Sequence, residues 1–346
     1  MSKIAVIILN WNGYDDTIEC LNSLVQNDHT LFDIIVVDNG SEDDSVSKIQ
    51  EWLIAEKYEF SIVQATDVPK TYGNIEPGQN GGQARSNSLV TTLVASKENL
   101  GFSAGNNLGI RYAFLRPYKS VFLLNNDTTL EPDTLGKIWN AMNLNPDWGA
   151  CVPKIKYYDS PSTIWNAGGF LRPLGGRRYL YANEVDNQSY SGLRHITFAT
   201  GCALAIRSEI VKEYGGLSED FFFGEEDYEF SKRLFAKNVK MCAVLDAVVY
   251  HKVGISRAQL LDENTLAYDF THHLNRLIHM KRYMSIFQWK IWRLGGLAYI
   301  LFLLVVKKKV PLSRKLVRYF QELVRLSNRY SKVDKKLFLA SKEILK

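Results

Sequence analysis

The chain has 346 residues and is 46% hydrophobic, which argues against global disorder and allows one large domain or two modest ones. Cys20, Cys151, Cys202 and Cys242 lie far apart and form no CxxC, so neither a zinc knuckle nor a disulfide framework is indicated and a reducing compartment fits. The net charge of +5 conceals an asymmetry: residues 281–346 hold 17 Lys and Arg against 3 Asp and Glu, net +14, while the remainder is net −9.

The opening MSKIAVIILNWNG has a short apolar run without a small-residue cleavage site. It reads as a first strand (3–9) rather than a signal peptide. Ile18, Leu21, Leu24 and Val25 then share a helical face over 15–26. DIIVVDNGSEDDS reads as a buried strand, a Gly turn and a capped helix start, and FSIVQ (60–64) as a third strand. This βαβαβ alternation predicts an α/β fold: a mostly parallel sheet with helices on both faces. Residues 67–91, rich in Gly, Asn, Gln and Ser, interrupt it as an inserted surface loop. The rhythm resumes with the strand TTLVAS, a helix over 103–115, the strand SVFLLNND and a helix opened by Pro132. Past Gly149 the pattern becomes mixed, and helices return from about residue 262.

Ligands of open parallel sheets bind beyond the carboxyl ends of the strands. Three expected strands end in polar clusters there: Asn10-Trp11-Asn12, Asp38-Asn39-Gly40-Ser41 and Asn125-Asn126-Asp127. Any one of them alone is a plain loop start; three along one edge favour a site. An Asp at a strand end can accept the imide N–H of uracil or thymine, and a Trp beside it can stack. An Asp further along can bind a divalent cation that holds a diphosphate.

In ENLGFSAGNNLG (98–109), Gly101, Gly105 and Gly109 are four apart, which is not the GxGxxG of a dinucleotide fold. The interleaved Asn99, Asn106 and Asn107 argue against a lipid-facing helix. They favour a helix N-terminus close to a ligand, its amides and backbone N–H groups near an anion. In FFFGEEDYEFSKRL (221–234), acids at a helix start would offset its dipole. That leaves the surrounding aromatics unexplained; a carboxylate beside apolar rings can have a raised pKa and act as a base. His251 follows an apolar run, and a lone His is more often structural. It becomes a cation ligand only if the chain folds it back to Asp127.

In order and spacing, "ILNWNG", "VVDNGSEDDS", "ENLGFSAGNNLGI", "LLNNDTTLEPDTL", "TGCALAIR", "GGLSEDFFFGEEDYEFSKRL" and "YHKVGIS" resemble an inverting family 2 glycosyltransferase of the rhamnosyltransferase branch. The resemblance runs over about 3–256 and implies a Rossmann-like GT-A fold. It implies that Asn10 and Trp11 line the nucleoside pocket and that Asp38 bonds the base. It puts Asn125-Asn126-Asp127 at the family's DXD motif, with Asp127 holding a divalent cation (Mg²⁺ or Mn²⁺) and the donor diphosphate. Within Glu226-Asp227, Asp227 matches the catalytic base; Arg233 matches a family Arg, and His251 a His near the diphosphate. Asn125 replaces the first Asp of DXD, removing one negative charge from the cation site, and Glu229 replaces a common Asp. The branch implies a nucleotide-sugar donor, dTDP-rhamnose first.

Trp289, Trp292 and Arg293 precede LGGLAYILFLLVV (294–306) and three lysines. As a helix that apolar run reaches about 20 Å at roughly 1.5 Å per residue, short of the roughly 30 Å of a bilayer core. The expectation is an interfacial segment followed by a basic amphipathic helix that favours anionic lipid. The alternative is a buried core helix or a homodimer helix. The acidic body disfavours nucleic acid. The expected organisation is a GT-A domain over 1–258 and a helical, membrane-associating region over 259–346. The expected function is a peripheral enzyme on the cytoplasmic face of the cell membrane, acting on a lipid-linked or polysaccharide acceptor in cell-envelope glycan synthesis. Set against this are a non-catalytic nucleotide-sugar-binding scaffold, favoured by Asn125, and a nucleotidyltransferase. The acidic NWNGYDDT disfavours the latter, since triphosphate calls for a basic Gly-rich loop there.

Overall fold

The computed structural model describes residues 3–28, 31–72, 89, 91–173, 175–253 and 265–343. Strands β1 (Ile4–Asn10), β2 (Phe32–Asp38), β3 (Phe60–Gln64), β4 (Thr91–Ala95) and β5 (Ser120–Asn125) pair in parallel, in the order 3-4-2-1-5. The runs IAVIILN and FDIIVVD are nearly continuous in apolar residues, as strands covered on both faces require. Successive side chains of a strand point to opposite faces. Ile4, Val6 and Ile8 accordingly join one core with helices α1 (Tyr14–Val25) and α2 (Ser45–Ala55), while Ala5 and Ile7 join another with α3 (Phe102–Ala113). Helix α4 (Thr134–Leu144) lies on the first side, α5 (Ser208–Tyr214) and α6 (Glu226–Ala236) on the second.

The mixed half continues the same sheet with β6 (Thr128–Leu130), β7 (Trp148–Tyr157), β8 (Ile164–Asn166), β11 (Leu193–Ile196), β12 (Ala203–Arg207) and β13 (Lys240–His251). Strand β12 lies antiparallel between β5 and β7, and β13 runs parallel to β7. A separate hairpin pairs β9 (Gly169–Leu171) with β10 (Arg177–Tyr179). Register then decides what meets at the sheet's carboxyl edge. Asn10 stands opposite Asp38 and Leu9 opposite Asn125, while β13 ends with His251 opposite Thr128. Most of the expected 67–91 insertion lies outside the described residues; Tyr72, within it, sets its ring against Phe114.

Helices α7 (Thr265–Met280), α8 (Ile286–Phe302), α9 (Arg314–Arg329) and α10 (Lys335–Glu343) share a core with Phe221 and Phe222 of the loop before α6. Backbone bonds seal the contact: Phe222 N donates to Val333 O and Val333 N to Asp220 O, each at 2.8 Å.

Two expectations for this region need correction. Helix α8 starts eight residues before the apolar run, because Ser285 and Gln288 form a capping box, and it continues through a π turn at Leu303–Lys307. Ile286–Lys307 is therefore long and apolar enough to cross a membrane, by length and composition alone. The basic amphipathic helix, α9, turns its apolar residues Leu316, Tyr319, Leu323 and Leu326 into the protein core. Its apolar face is therefore not presented to lipid.

Candidate active site

A cavity of about 280 Å³ opens at the carboxyl edge of the sheet. Trp11, Asn99, Gly101, Asn125, Asn126, Asp127, Glu226, Asp227 and His251 all line it. Asn10, Asp38 and Asn106 do not. Asn10 is wholly buried: its Nδ2 donates to Asp38 Oδ2 (2.8 Å) and its Oδ1 accepts from Thr17 Oγ1 (2.7 Å). Asp38 also accepts from the Ser41 hydroxyl (2.6 Å) and backbone N–H (3.1 Å). The Asn10–Asp38 pair therefore lies beneath the cavity and pins the loops after β1 and β2 together. Asn106 turns back to the Phe102 carbonyl (3.0 Å), and Asn107 bonds Leu217 O (2.7 Å) and Glu219 (2.9 Å). These two amides secure α3 rather than face a ligand, contrary to the expectation for them.

The glycine spacing has a packing cause. A Cβ on Gly109 would lie 2.5 Å from Ile7 Cγ2 and 2.9 Å from Val37 Cγ2, so α3 rests directly on β1 and β2. Gly101 caps the helix at φ +89°, where a Cβ would lie 2.4 Å from the Phe222 carbonyl.

Asp127 and His251 meet as the sequence required of a joint role: His251 Nε2 is 3.2 Å from Asp127 Oδ1. Both are buried, and the Trp165 ring stands edge-on to the imidazole with centroids 4.6 Å apart. The Asp127–His251 approach is close without being aligned as a hydrogen bond, and both Asp127 Oδ1 and His251 Nδ1 remain buried without a hydrogen-bond partner. Burial opposes a charge on His251, but Cys202 and Asp127 outweigh it and push its pKa up to about 10. Asn126 Nδ2 bonds Gly13 O (3.2 Å) and Thr17 Oγ1 (3.1 Å), fixing the turn that presents Asp127. Among the described residues, no group of three His, Cys, Asp or Glu could hold a metal alone.

The first turn of α6 supplies the second pair of acids. Asp227 Oδ1 accepts from Arg177 Nη1 at 3.3 Å, and the Arg177 guanidinium lies 4.9 Å from the Phe198 ring centroid. Glu226 Oε2 is buried with no partner. Burial, with Asp227 beside it, pushes the Glu226 pKa up to about 8. Burial also raises Asp227, and Arg177 offsets only part of that rise. Glu225 differs: burial would raise it, but Arg276 and His279 outweigh that and hold it at about 2. Arg233 does not line the cavity. It pairs with Glu229 (3.0 Å) and bonds the carbonyls of Tyr214 and Gly216, locking α6 to the turn after α5.

Sequence reasoning missed Arg177, Trp165, Tyr268 and the Thr200-Gly201-Cys202 turn, which all border this cavity or its acids. The last stood inside a quoted motif without a role. The GGRRY stretch carried no such signal: Arg177 meets Asp227, while the adjacent Arg178 is exposed.

The chain matches the model of Glycosyltransferase like family 2 over residues 2–265. The low-salt glycan biosynthesis hexosyltransferase Agl10 of Haloferax volcanii is 22% identical over 269 residues, 74% of this chain and 70% of its own length. The mannosyltransferase PcManGT from Pyrobaculum calidifontis, solved with GDP-Man and Mn²⁺, is structurally similar with a TM-score of 0.53 and 15% identity. That match covers 99% of this chain and 86% of the other. GalNAc-T7, solved with UDP, GalNAc and Mn²⁺, also has a TM-score of 0.53, at 13% identity over 86% of this chain and 54% of the other. The fold is GT-A-like, and the chain belongs to glycosyltransferase family 2: it is a glycosyltransferase.

Proposed function

We propose that the enzyme transfers a hexosyl unit, with inversion, from a nucleotide sugar to a hydroxyl of a lipid-linked or polysaccharide acceptor. The observation that carries this reading is one cavity lined by both the Asp127–His251 pair and the Glu226–Asp227 pair. The first suits the donor's diphosphate end and the second the acceptor's hydroxyl. The rhamnosyltransferase resemblance makes dTDP-rhamnose the first donor to try. Trp11 stacks the base, with Asn99, Gly101 and Asn125 along the sugar and phosphates. Asp38 supports this pocket from outside its lining, through Asn10 and Ser41.

Asp127 fits a divalent cation as it stands, and His251 would do so once the cation displaced its proton. The unpartnered Asp127 Oδ1 is a hard oxygen donor, and two protein ligands leave positions for phosphate oxygens. The names of the two solved relatives, both with Mn²⁺, support this. When bound, the cation would offset the charge growing on the departing diphosphate. Asn126 and Thr17 hold the turn, and Asn125 brings no second carboxylate.

Asp227 removes the acceptor hydroxyl proton while the oxygen attacks the anomeric carbon opposite the leaving nucleotide. Arg177 orients that carboxylate; Glu226, with no such contact, holds its proton and spares Asp227 a like-charge neighbour. Binding supplies the alignment, so no covalent intermediate is needed. Residues 1–258 form the catalytic domain and 259–346 seat it, as a peripheral protein, on the cytoplasmic face of an anionic membrane. Exposed Phe287, Ile291 and Leu294 and the net charge of the tail support this.

A thermal-shift panel of dTDP-, UDP- and GDP-sugars, with and without Mn²⁺ or Mg²⁺, tests the reading. One sugar nucleotide should raise Tm only with cation, and the shift should vanish in Asp127→Ala. An equal, cation-independent shift in both proteins would remove the metal assignment, and no shift from any sugar would remove the donor assignment.

A further inference from the structure

The family match ends at residue 265, yet side chains beyond it hold the loop that presents Glu226 and Asp227. From α7, Asn275 Nδ2 donates to the carbonyls of Phe223 (2.9 Å) and Gly224 (3.1 Å). Arg276 Nε donates to Glu225 Oε1 at 2.5 Å, and His279 Nδ1 lies 2.8 Å from the same oxygen. The Arg276 guanidinium also sits 3.6 Å from the Tyr228 ring centroid, and its Nη1 donates to the Gly175 carbonyl. Gly175 leads into β10, where Arg177 bonds Asp227. Arg276 thus grips two segments that converge on one carboxylate: the loop before Asp227 and the hairpin facing it.

Glu225 is the residue that needs the grip. It adopts the left-handed conformation at φ +80°, uncommon for a side chain of its size, and this bend aims the first turn of α6 into the cavity. Its side chain is wholly buried and its Oε2 has no partner. Without a cation beside it, such a group leaves for solvent or takes a proton. Either change unfastens the bend.

We propose that Arg276 is a positioning residue for transfer: through Glu225 and Gly175 it fixes where Asp227 stands, so the helices after residue 265 complete the active site. This rests on the reading of Asp227 as the base.

The test uses the full chain, with the sugar nucleotide selected by the panel and Mn²⁺. Arg276→Ala should lower kcat about 100-fold, the scale of a small misplacement of a catalytic group, and leave the donor KM within about twofold. Arg276→Lys, which keeps a charge and a donor for Glu225, should restore part of kcat. In parallel, amide hydrogen exchange should rise over residues 221–230 in Arg276→Ala and stay unchanged in β1 and β5. A kcat within about threefold of the parent, or a fall in kcat matched by an equal rise in donor KM, would overturn the inference. So would unchanged exchange over 221–230, whatever the panel shows. If Arg276→Ala does not fold, the lysine variant carries both readouts. If no donor is found, the exchange measurement still decides the positioning while the donor assignment falls separately.

Discussion

Asp227 bonds Arg177 while Glu226 Oε2 bonds nothing, and burial raises the pKa of both carboxyls. The consequence for stability has a definite sign. Glu226 has a pKa of about 8 in the fold against 4.5 as its ordinary value, so the folded state holds this proton more tightly than the unfolded chain. Its contribution is complete below about pH 4.5 and is lost as pH rises toward 8. Glu226→Gln, which mimics the protonated form, should therefore unfold at a higher temperature than the parent at pH 8 and at the same temperature near pH 4.5. A thermal-melt series across pH reads this; a gap that does not grow with pH would refute it. Asp227→Asn should keep nucleotide-sugar affinity by calorimetry and lose roughly 10²–10⁴-fold in transfer rate, the range of a lost general base. Turnover at the parent rate would show that another group takes the proton. The Asp127–His251 meeting was legible because both residues end apolar runs that the sheet brings to one edge. The Arg177–Asp227 and Arg276–Glu225 pairs were not, because Arg177 lies on a three-residue strand that shows no period and the Glu225 bend shows only as a backbone angle.

The regular elements of the first half could be read because β1 and β2 are short, nearly continuous apolar runs and α1 obeys a helical period. The hairpin β9–β10 could not: three-residue strands are too short to display one. Helix α8 was placed too late because its start depends on a polar capping box rather than on the apolar run that drew the eye. The amides of α3 were expected near a ligand, whereas Asn106 and Asn107 secure the helix, and Gly105 and Gly109 bring it onto the sheet. Gly109→Ala should accordingly destabilise the fold by about 1–3 kcal/mol, since a methyl cannot enter beside Ile7 without moving the helix. A lower urea midpoint with unchanged slope is the expected result, and an unchanged midpoint would show that α3 has room to shift.

Across the whole molecule, one side of α8 is docked and the other is bare. Trp289, Arg293, Ile300 and Leu304 are buried, with Trp289 Nε1 bonded to Leu277 O at 2.9 Å, while Phe287, Ile291 and Leu294 are exposed. Phe287→Ser with Leu294→Ser should weaken co-sedimentation with vesicles containing anionic lipid by tenfold or more, since each apolar side chain contributes roughly 1.5 kcal/mol or more when buried. The binding that persists should be salt-sensitive, because the basic tail is untouched. Undiminished sedimentation at high salt would sink the interfacial role of this face. The seam between Phe221 and Val333 also bears on how the enzyme is made. At about 5–20 residues per second, Val333 emerges from the ribosome roughly 5–20 s after Phe221. Over that interval the nascent sheet can close while the segment bearing Asp227 still lacks its seam and its clamp. Sugar transfer would then begin only on a polypeptide that already carries its apolar helix.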